Sequence, residues 1–210
     1  MTDFGALRST TCQLVADALA ETGRRLWHAS HLLRDQHMEA MALVTQMAGE
    51  LGQGATAMFG VQRWYAGSAL VRQLFETQYL LARFAADDPA AKAWLAATQN
   101  QLDNQFRPGQ MRQAGGFSAS EYRTHCSWGG HPNPGARWLL ADHQRLVAVE
   151  LLWADLAQHL TDTWRIVLGA LQALGPDEDL LPPNAAQVSE YSWSWVDTDP
   201  HSRRVKLPRG

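Results

Sequence analysis

Apolar residues recur at three- and four-residue steps along most of this chain, which is the period of an amphipathic α-helix. The pattern predicts long helices over about 4–22, 24–51, 55–86 and 136–174. The most regular buried stripe is that of the last helix: Leu139, Leu146, Val149, Trp153, Leu156, Leu160, Trp164, Val167, Leu171 and Leu174. Gly52 and Gly54 are expected to end the second helix. The expected fold class is all-α, an up-and-down helical bundle of five or six helices.

Shorter elements are expected between the third and last helices. Asp88-Pro89 predicts a helix start, with Asp as the cap and Pro in the first turn, and this helix should run to about Phe106. Residues 107–117 are expected to form a loop because they contain two Gly/Pro breakers. Ser118 and Glu121 have the spacing of a capping box, so a short helix should lead from there to about Cys126.

The chain divides by composition into a helical bundle domain at 1–175 and an irregular C-terminal tail at 176–210. The tail holds five of the nine prolines. Tyr191, Trp193 and Trp195 alternate with polar residues there, which favours an extended segment or a short strand.

Bulk composition narrows the classes of protein that fit. The formal net charge of −3 argues against a strongly electrostatic nucleic-acid binder. Cys12 and Cys126 are the only cysteines, and two distant thiols do not form a disulfide framework. The chain has no secretory signal pattern and no apolar run of about 18 residues. We therefore expect a cytoplasmic protein with no membrane span.

The segment from Tyr122 to Pro134 contains the residues best suited to chemistry. It holds Arg123, His125 and His131 in a loop bent by Gly and Pro. His exchanges protons near neutral pH, and Arg offers a planar fork of donors to a phosphate. Residues 103–137 carry four arginines against two acidic residues, which favours an anionic ligand. The segment predicts phosphate chemistry with Arg123, His131 and His125 as catalytic residues, without metal and without a cofactor.

A stripe of polar residues runs along the otherwise apolar third helix. Arg72, Glu76, Tyr79 and Arg83 lie within about 60° of one another at 100° per residue. One interpretation is a solvated Arg72–Glu76 pair. The other is a stripe that faces a cleft or a second copy of the chain, where Arg72, Glu76 and Tyr79 support a ligand and Tyr122 or Trp128 stack on it.

Two further groups of residues have the chemistry of a possible site. His28, His31, Asp35 and Glu39 share one face of the predicted second helix and contain ligands for a divalent ion. A solvated polar face is favoured there, because the Glu-x-x-His spacing of bundle metal sites does not recur. Cys126, close to His125 and His131, has no arrangement of partners that identifies a cysteine enzyme.

The order of these features resembles that of uncharacterised bacterial proteins in or near the HEPN superfamily (higher eukaryotes and prokaryotes nucleotide-binding). The resemblance covers residues 55–174 and rests on Arg72-x-x-x-Glu76, Asp-Pro, Trp94, the Arg/His loop and the long final helix. It implies an all-helical, commonly dimeric protein, and in many members a metal-independent ribonuclease whose Arg is followed four to six residues later by a His. Arg123 and His131 correspond to this Arg and this His. Seven residues lie between them, however, and two of the seven, Gly129 and Gly130, interrupt the predicted helix.

The leading functional hypothesis is therefore a HEPN-like protein that binds or cleaves RNA or nucleotides. The alternatives are a non-catalytic helical module that binds a small molecule or a protein, and a helical-bundle metalloprotein. A homodimer is expected, because a two-fold axis would cover the apolar third helix and bring two polar stripes together.

Overall fold

The computed structural model describes residues 4–130, 132, 134–140, 145–174 and 178–202, and this part of the chain is helical with no strand. The prediction of an all-α fold is confirmed. Four long helices make up the bundle: α1 (Phe4–Leu33), α2 (Gln36–Gly60), α3 (Trp64–Ala86) and α9 (Arg145–Leu174). The short helices are α4 (Asp88–Leu95), α5 (Gln99–Gln105), α6 (Pro108–Ala114), α7 (Ala119–His125) and α8 (Arg137–Leu140), and α10 (Ala185–Thr198) follows the bundle. The described residues thus contain more helical segments than the five or six predicted.

The first two helices break at a different place from the one predicted. The predicted break near residue 23 lies inside α1, and the chain instead turns at Arg34, which has a positive φ of 55°. Asp35 caps α2 by accepting hydrogen bonds from the backbone N–H groups of His37 and Met38. A side-chain cap therefore starts α2, and such a cap stabilises a helix N-terminus by satisfying its free N–H groups.

Glycines that were expected to end a helix instead allow helices to pack closely. Gly52 lies within α2, and a Cβ there would lie 2.6 Å from Leu160 Cδ2 of α9. A Cβ on Gly49 would overlap the backbone nitrogen of Ala20 in α1. The prediction that Gly52 and Gly54 end the helix is wrong, because α2 continues to Gly60. A single Gly destabilises a helix by only about 1 kcal/mol, and close packing offsets this cost.

The predicted irregular tail contains a helix of 14 residues, α10. Its buried residues Val188, Ser192, Trp195 and Val196 follow the helical period, and Trp195 is fully buried in the main core. The alternation of aromatic and polar residues that suggested a strand does not put the aromatic residues on one buried face, because Trp193 is 55% exposed whereas Trp195 is buried. The Arg8 and Asp199 side chains form a buried ion pair of 2.6 Å that joins the two ends of the described chain.

A series of short helices leads from α3 to the candidate site. Asp87, rather than the predicted Asp88, caps α4 by accepting from the Ala90 N–H. The single helix predicted to Phe106 ends at Leu95 and restarts at α5, and α6 forms within the predicted loop because Pro108 occupies a first-turn position. Ser118 caps α7 by accepting from the Glu121 N–H, as predicted.

A five-residue π-helical turn, Cys126–Gly130, continues α7. It packs tightly on α3, because a Cβ on Gly129 would overlap the backbone of Ser68 and Ala69. Such turns are uncommon and occur frequently at functional sites. None of the helices in the described residues is long and apolar enough to cross a membrane.

Candidate metal centre and its polar surroundings

Two histidines from different helices meet in the interior next to the π-helical turn. His125 is the last residue of α7 and His159 lies in the middle of α9. Their Nε2 atoms are 3.0 Å apart, and the two rings meet edge to face. Phe75 of α3 contacts both rings, with centroids 4.9 Å from His125 and 4.4 Å from His159. The side chains are 3% and 2% exposed, so this is an interior pair.

Acidic and amide side chains surround the histidine pair. Glu121, one turn before His125 on α7, offers a carboxylate oxygen that lies within 4.8 Å of a ligand nitrogen of each histidine. Asp155, one turn before His159 on α9, places Oδ2 3.4 Å from His125 Nδ1 and Oδ1 3.6 Å from His159 Nε2. Gln78 of α3 places Oε1 3.1 Å from His159 Nδ1. Three helices therefore contribute to one polar cluster.

The electrostatics of this cluster favour a neutral His125 imidazole beside an ionised Asp155 carboxylate. Burial lowers the pKa of His125 to about 4, since the attraction of Asp155 offsets only part of the cost of removing a charged ring from water. Burial by itself would raise the pKa of Asp155, but His125 and His159 together bring that pKa below its usual value. A neutral imidazole keeps a nitrogen lone pair available at pH 7.

The surrounding acceptors allow two arrangements of the ring protons. Asp155 Oδ1, 3.6 Å from His159 Nε2, favours a proton on that nitrogen. In the other arrangement, the Asp155 carboxylate accepts from His125 Nδ1 and the Gln78 amide oxygen accepts from His159 Nδ1, so each ring proton lies on Nδ1. The two Nε2 atoms then carry lone pairs that face each other at 3.0 Å. Two acceptors at that separation repel one another unless a cation or a proton lies between them.

The predicted polar stripe of α3 lies beside this centre and packs against α7. Arg72 Nη2 and Glu76 Oε1 form an ion pair of 2.7 Å, with side chains only 19% and 23% exposed. Tyr122 of α7 donates to Glu76 Oε1 at 3.3 Å and accepts from Arg72 Nη2 at 3.5 Å. Burial by itself lowers the pKa of Arg72, but Tyr122, Cys126 and Glu76 raise it above its usual value. The stripe is therefore a network between helices rather than a fully solvated pair.

The remaining aromatic candidates lie around the same centre. Tyr79 is fully buried, its ring packs at a tilt against those of Phe75 and Phe117, and burial raises the pKa of its hydroxyl. Trp128, in the π-helical turn, is half-buried and meets His125 edge to face at 6.2 Å. Both residues lie in the wall of the cluster, and their predicted role as ligand contacts stays a prediction.

The predicted catalytic residues occupy different environments. Arg123 is exposed on α7, whereas His125 is buried within the cluster. His131 lies outside the described residues. Their joint action on a phosphate stays a prediction.

The alternative metal site at the start of α2 is not assembled by the fold. His28 and His31 are exposed at the end of α1, while Asp35 caps α2. His31 Nδ1 contacts the backbone oxygen of Trp27 at 2.9 Å. Within the described ranges, the group of three or more side chains placed to hold a metal ion is Glu121, His125 and His159.

Sequence reasoning missed His159, Asp155 and Gln78, although one signal pointed to the first two. A carboxylate precedes a histidine by four residues at Glu121-x-x-x-His125, Asp155-x-x-x-His159 and Asp197-x-x-x-His201, and the first two pairs belong to this cluster. Residues four apart share a helix face, so each pair presents both groups in one direction. Known bundle sites use Glu-x-x-His, in which the two residues are three apart, so that motif does not match either pair.

Comparisons with known proteins do not assign this chain to a family. No protein-family model matches the chain, and neither curated proteins nor solved structures gave a significant match. The resemblance to the HEPN superfamily accordingly stays a prediction.

Proposed function

We propose that this chain is a helical-bundle metalloprotein in which Glu121, His125 and His159 bind one divalent transition-metal ion. The observation that carries the proposal is the convergence of these three side chains from α7 and α9, with one ligand atom of each within 4.8 Å of the others. Two imidazoles and one carboxylate form a ligand set that suits zinc and neighbouring metals better than calcium or magnesium.

The separation of the two nitrogens fits a shared ion. Two nitrogens each about 2.1 Å from a tetrahedral zinc ion lie about 3.4 Å apart. The observed Nε2–Nε2 distance is 3.0 Å, so a shift of a few tenths of an ångström produces this geometry. Three protein ligands leave a fourth position for water or a substrate atom.

The outer contacts support the same assignment. Histidines that bind metals commonly donate their second ring N–H to a carboxylate or a carbonyl. His125 has Asp155 at its Nδ1, and His159 has the Gln78 amide oxygen at its Nδ1. Each imidazole is thus oriented with Nε2 toward its partner.

The same atoms could instead form a metal-free hydrogen-bonded arrangement, for which the expected zinc affinity is different. His159 Nε2 would donate a hydrogen bond to His125 Nε2, and the Gln78 amide would turn over so that its NH2 group faces His159 Nδ1. In that arrangement the cluster is a hydrogen-bond chain that ends at Asp155, and the protein has no specific affinity for zinc.

Zinc titration of chelator-treated protein distinguishes the two arrangements. We expect one ion per chain by calorimetry and by elemental analysis. His125→Ala and His159→Ala should abolish this binding, and Glu121→Gln should weaken it while keeping the shape of the side chain. Helical circular dichroism confirms that each variant is folded.

His31→Ala is the matched control, since His31 is an exposed histidine at the end of another helix. It should bind zinc like the wild type. The proposal fails if the wild type binds no stoichiometric ion. Loss of binding in His31→Ala, with His159→Ala unaffected, would instead place the metal at the alternative site.

A second candidate, the binding or cleavage of RNA or nucleotides, is supported by one observation. Arg123 is exposed on the same short helix that carries two of the proposed metal ligands, where a phosphate can reach it. RNA cleavage assayed in chelator, with the wild type and with Arg123→Ala, tests the metal-free form of this hypothesis. Cleavage lost in the variant supports it, and an inactive wild type contradicts it.

A further inference from the structure

A cavity of about 220 Å³ lies at the end of the bundle where α1, α2, α3 and α9 meet. Leu26, Met38 and Met41 line it from α1 and α2, and Val167 and Leu171 line it from α9. These five residues are between 0% and 7% exposed, so they belong to the core. The proposed metal ligands do not line the cavity, and an inference about it is independent of the proposed function.

One side of the cavity reaches the surface. Ala85 of α3 and Ala173 of α9 also line it, and both are exposed. Alanines occupy the positions where larger side chains would close the gap between these two helices. A protein interior is normally packed to the density of an organic crystal, so an apolar space of this size with a mouth is a suitable binding site for a ligand.

The one titratable residue in the lining has its ring nitrogens directed to protein groups. His37 Nε2 donates to the backbone oxygen of Phe84 at 2.9 Å, and its Nδ1 lies 3.6 Å from Asp88 Oδ1. The remaining lining residues are aliphatic or methionine. An occupant therefore meets apolar surface and finds no side chain that would pair with a charge.

We propose that this cavity binds a compact, neutral aromatic molecule of one or two rings. Its volume exceeds the ~150 Å³ of an engineered apolar cavity that takes up benzene. Met38 and Met41 adapt to the shape of a ligand, and thioether sulfurs make favourable contacts with aromatic edges. A charged or strongly polar compound would lose its hydration without compensation.

Thermal melting of the full chain with indole, naphthalene and benzene as probes tests the proposal. We expect a saturable rise in Tm with at least one probe, because a ligand that binds only the folded state stabilises it. Ala170→Leu and Ala85→Leu place a larger side chain in the cavity from α9 and from α3. Both should remove the probe-induced shift, and using two positions covers the case in which one variant does not fold.

Gly169→Ala is the control variant. It lies next to Ala170 in α9 but does not line the cavity, and a Cβ there meets nothing within 4 Å. It should keep the full response, as should His159→Ala in chelator, which separates this site from the metal centre. The proposal is overturned if no probe raises the Tm of the wild type, or if the shift persists in both filled variants.

Discussion

Each ring nitrogen of the buried histidine pair has a specific polar neighbour. His159 contacts Gln78 through Nδ1 and His125 through Nε2, and His125 contacts Asp155 through Nδ1. Buried polar groups without partners are costly, so these neighbours influence which of the two proton arrangements is favoured. Zinc binding at the proposed centre should consequently be sensitive to residues other than the three proposed ligands.

Gln78→Met is predicted to weaken zinc binding while leaving the three ligands in place. The substitution removes the acceptor that holds the proton of His159 on Nδ1, and loss of an outer-shell partner typically costs about 10–100-fold in affinity. Calorimetric titration measures the change. Gln99→Met removes an exposed glutamine from α5 and should leave the affinity unchanged. Equal affinities in both variants would contradict the role given to Gln78.

At the scale of single residues, the sequence identified only part of the centre. His125 and Tyr122 could be recognised as candidates because ionisable and aromatic residues cluster in one predicted loop, and Arg72 and Glu76 because polar residues are unusual on the apolar third helix. The contact of Tyr122 with Arg72 and Glu76 was not predicted. His159 and Gln78 lie on helices dominated by core residues, where a histidine or a glutamine has no local signal of its role. Their function depends on the crossing of α3, α7 and α9, which no local pattern encodes.

At the scale of helices, glycines bring α1 and α2 into close contact. Gly49 faces the backbone of Ala20, and Gly23 faces the backbone of Gln46. Glycine here removes a side chain from a helix–helix contact, so that the two backbones approach one another. From the sequence, a break was predicted near Gly23 and a helix end at Gly52 and Gly54, because the local cost of Gly is visible and the packing gain is not.

Gly49→Ala is predicted to destabilise the protein by about 1–3 kcal/mol or more, the usual cost of overpacking a rigid contact. The added Cβ meets backbone atoms of Ala20, which cannot move away as a flexible side chain would. Urea unfolding measures the difference. Gly169→Ala, in an open position of α9, should be neutral or stabilising by up to about 1 kcal/mol. Equal stabilities of the two variants would count against close packing of α1 on α2.

At the scale of the whole molecule, α10 joins the end of the described chain to its beginning. Arg8 donates to both carboxylate oxygens of Asp199, at 2.6 and 3.1 Å, and the two side chains are 3% and 0% exposed. Trp195 of the same segment lies in the main core. The C-terminal segment is thus part of the packed structure up to Asp199.

Arg8→Met is predicted to lower the free energy of unfolding by about 3–5 kcal/mol, because it leaves Asp199 charged and buried without its partner. Urea unfolding followed by circular dichroism measures this change. Arg24→Met removes an exposed arginine paired with Glu21 and should change stability little, since exposed pairs contribute little. A small effect of Arg8→Met would mean that Asp199 finds water or another partner.

The proposed metal centre links α7 to α9, so metal binding and global stability should be coupled. Zinc at about 100 times its Kd is expected to add about 2.7 kcal/mol to the free energy of unfolding. Thermal melting with zinc and with chelator measures the difference as a shift in Tm. His159→Ala should melt at the same temperature in both conditions. An identical Tm for the wild type with and without zinc would argue against a site formed by folding.

The predicted homodimer also belongs to this scale and stays a prediction. Light scattering at micromolar concentration checks it. A monomer would contradict the prediction that two polar stripes meet across a two-fold axis.

The sequence by itself determined the fold class, the long apolar helix faces, the start of α7 at Ser118 and the shared helix face of Arg72 and Glu76, because these depend on residues within one or two turns of each other. Only the tertiary structure decided whether a glycine ends a helix or lies in a contact, and whether the aromatic tail is extended or helical. It also decided which histidines meet. Glu121, His125 and His159 come together through packing between segments more than 30 residues apart, and local periodicity carries no information about such crossings.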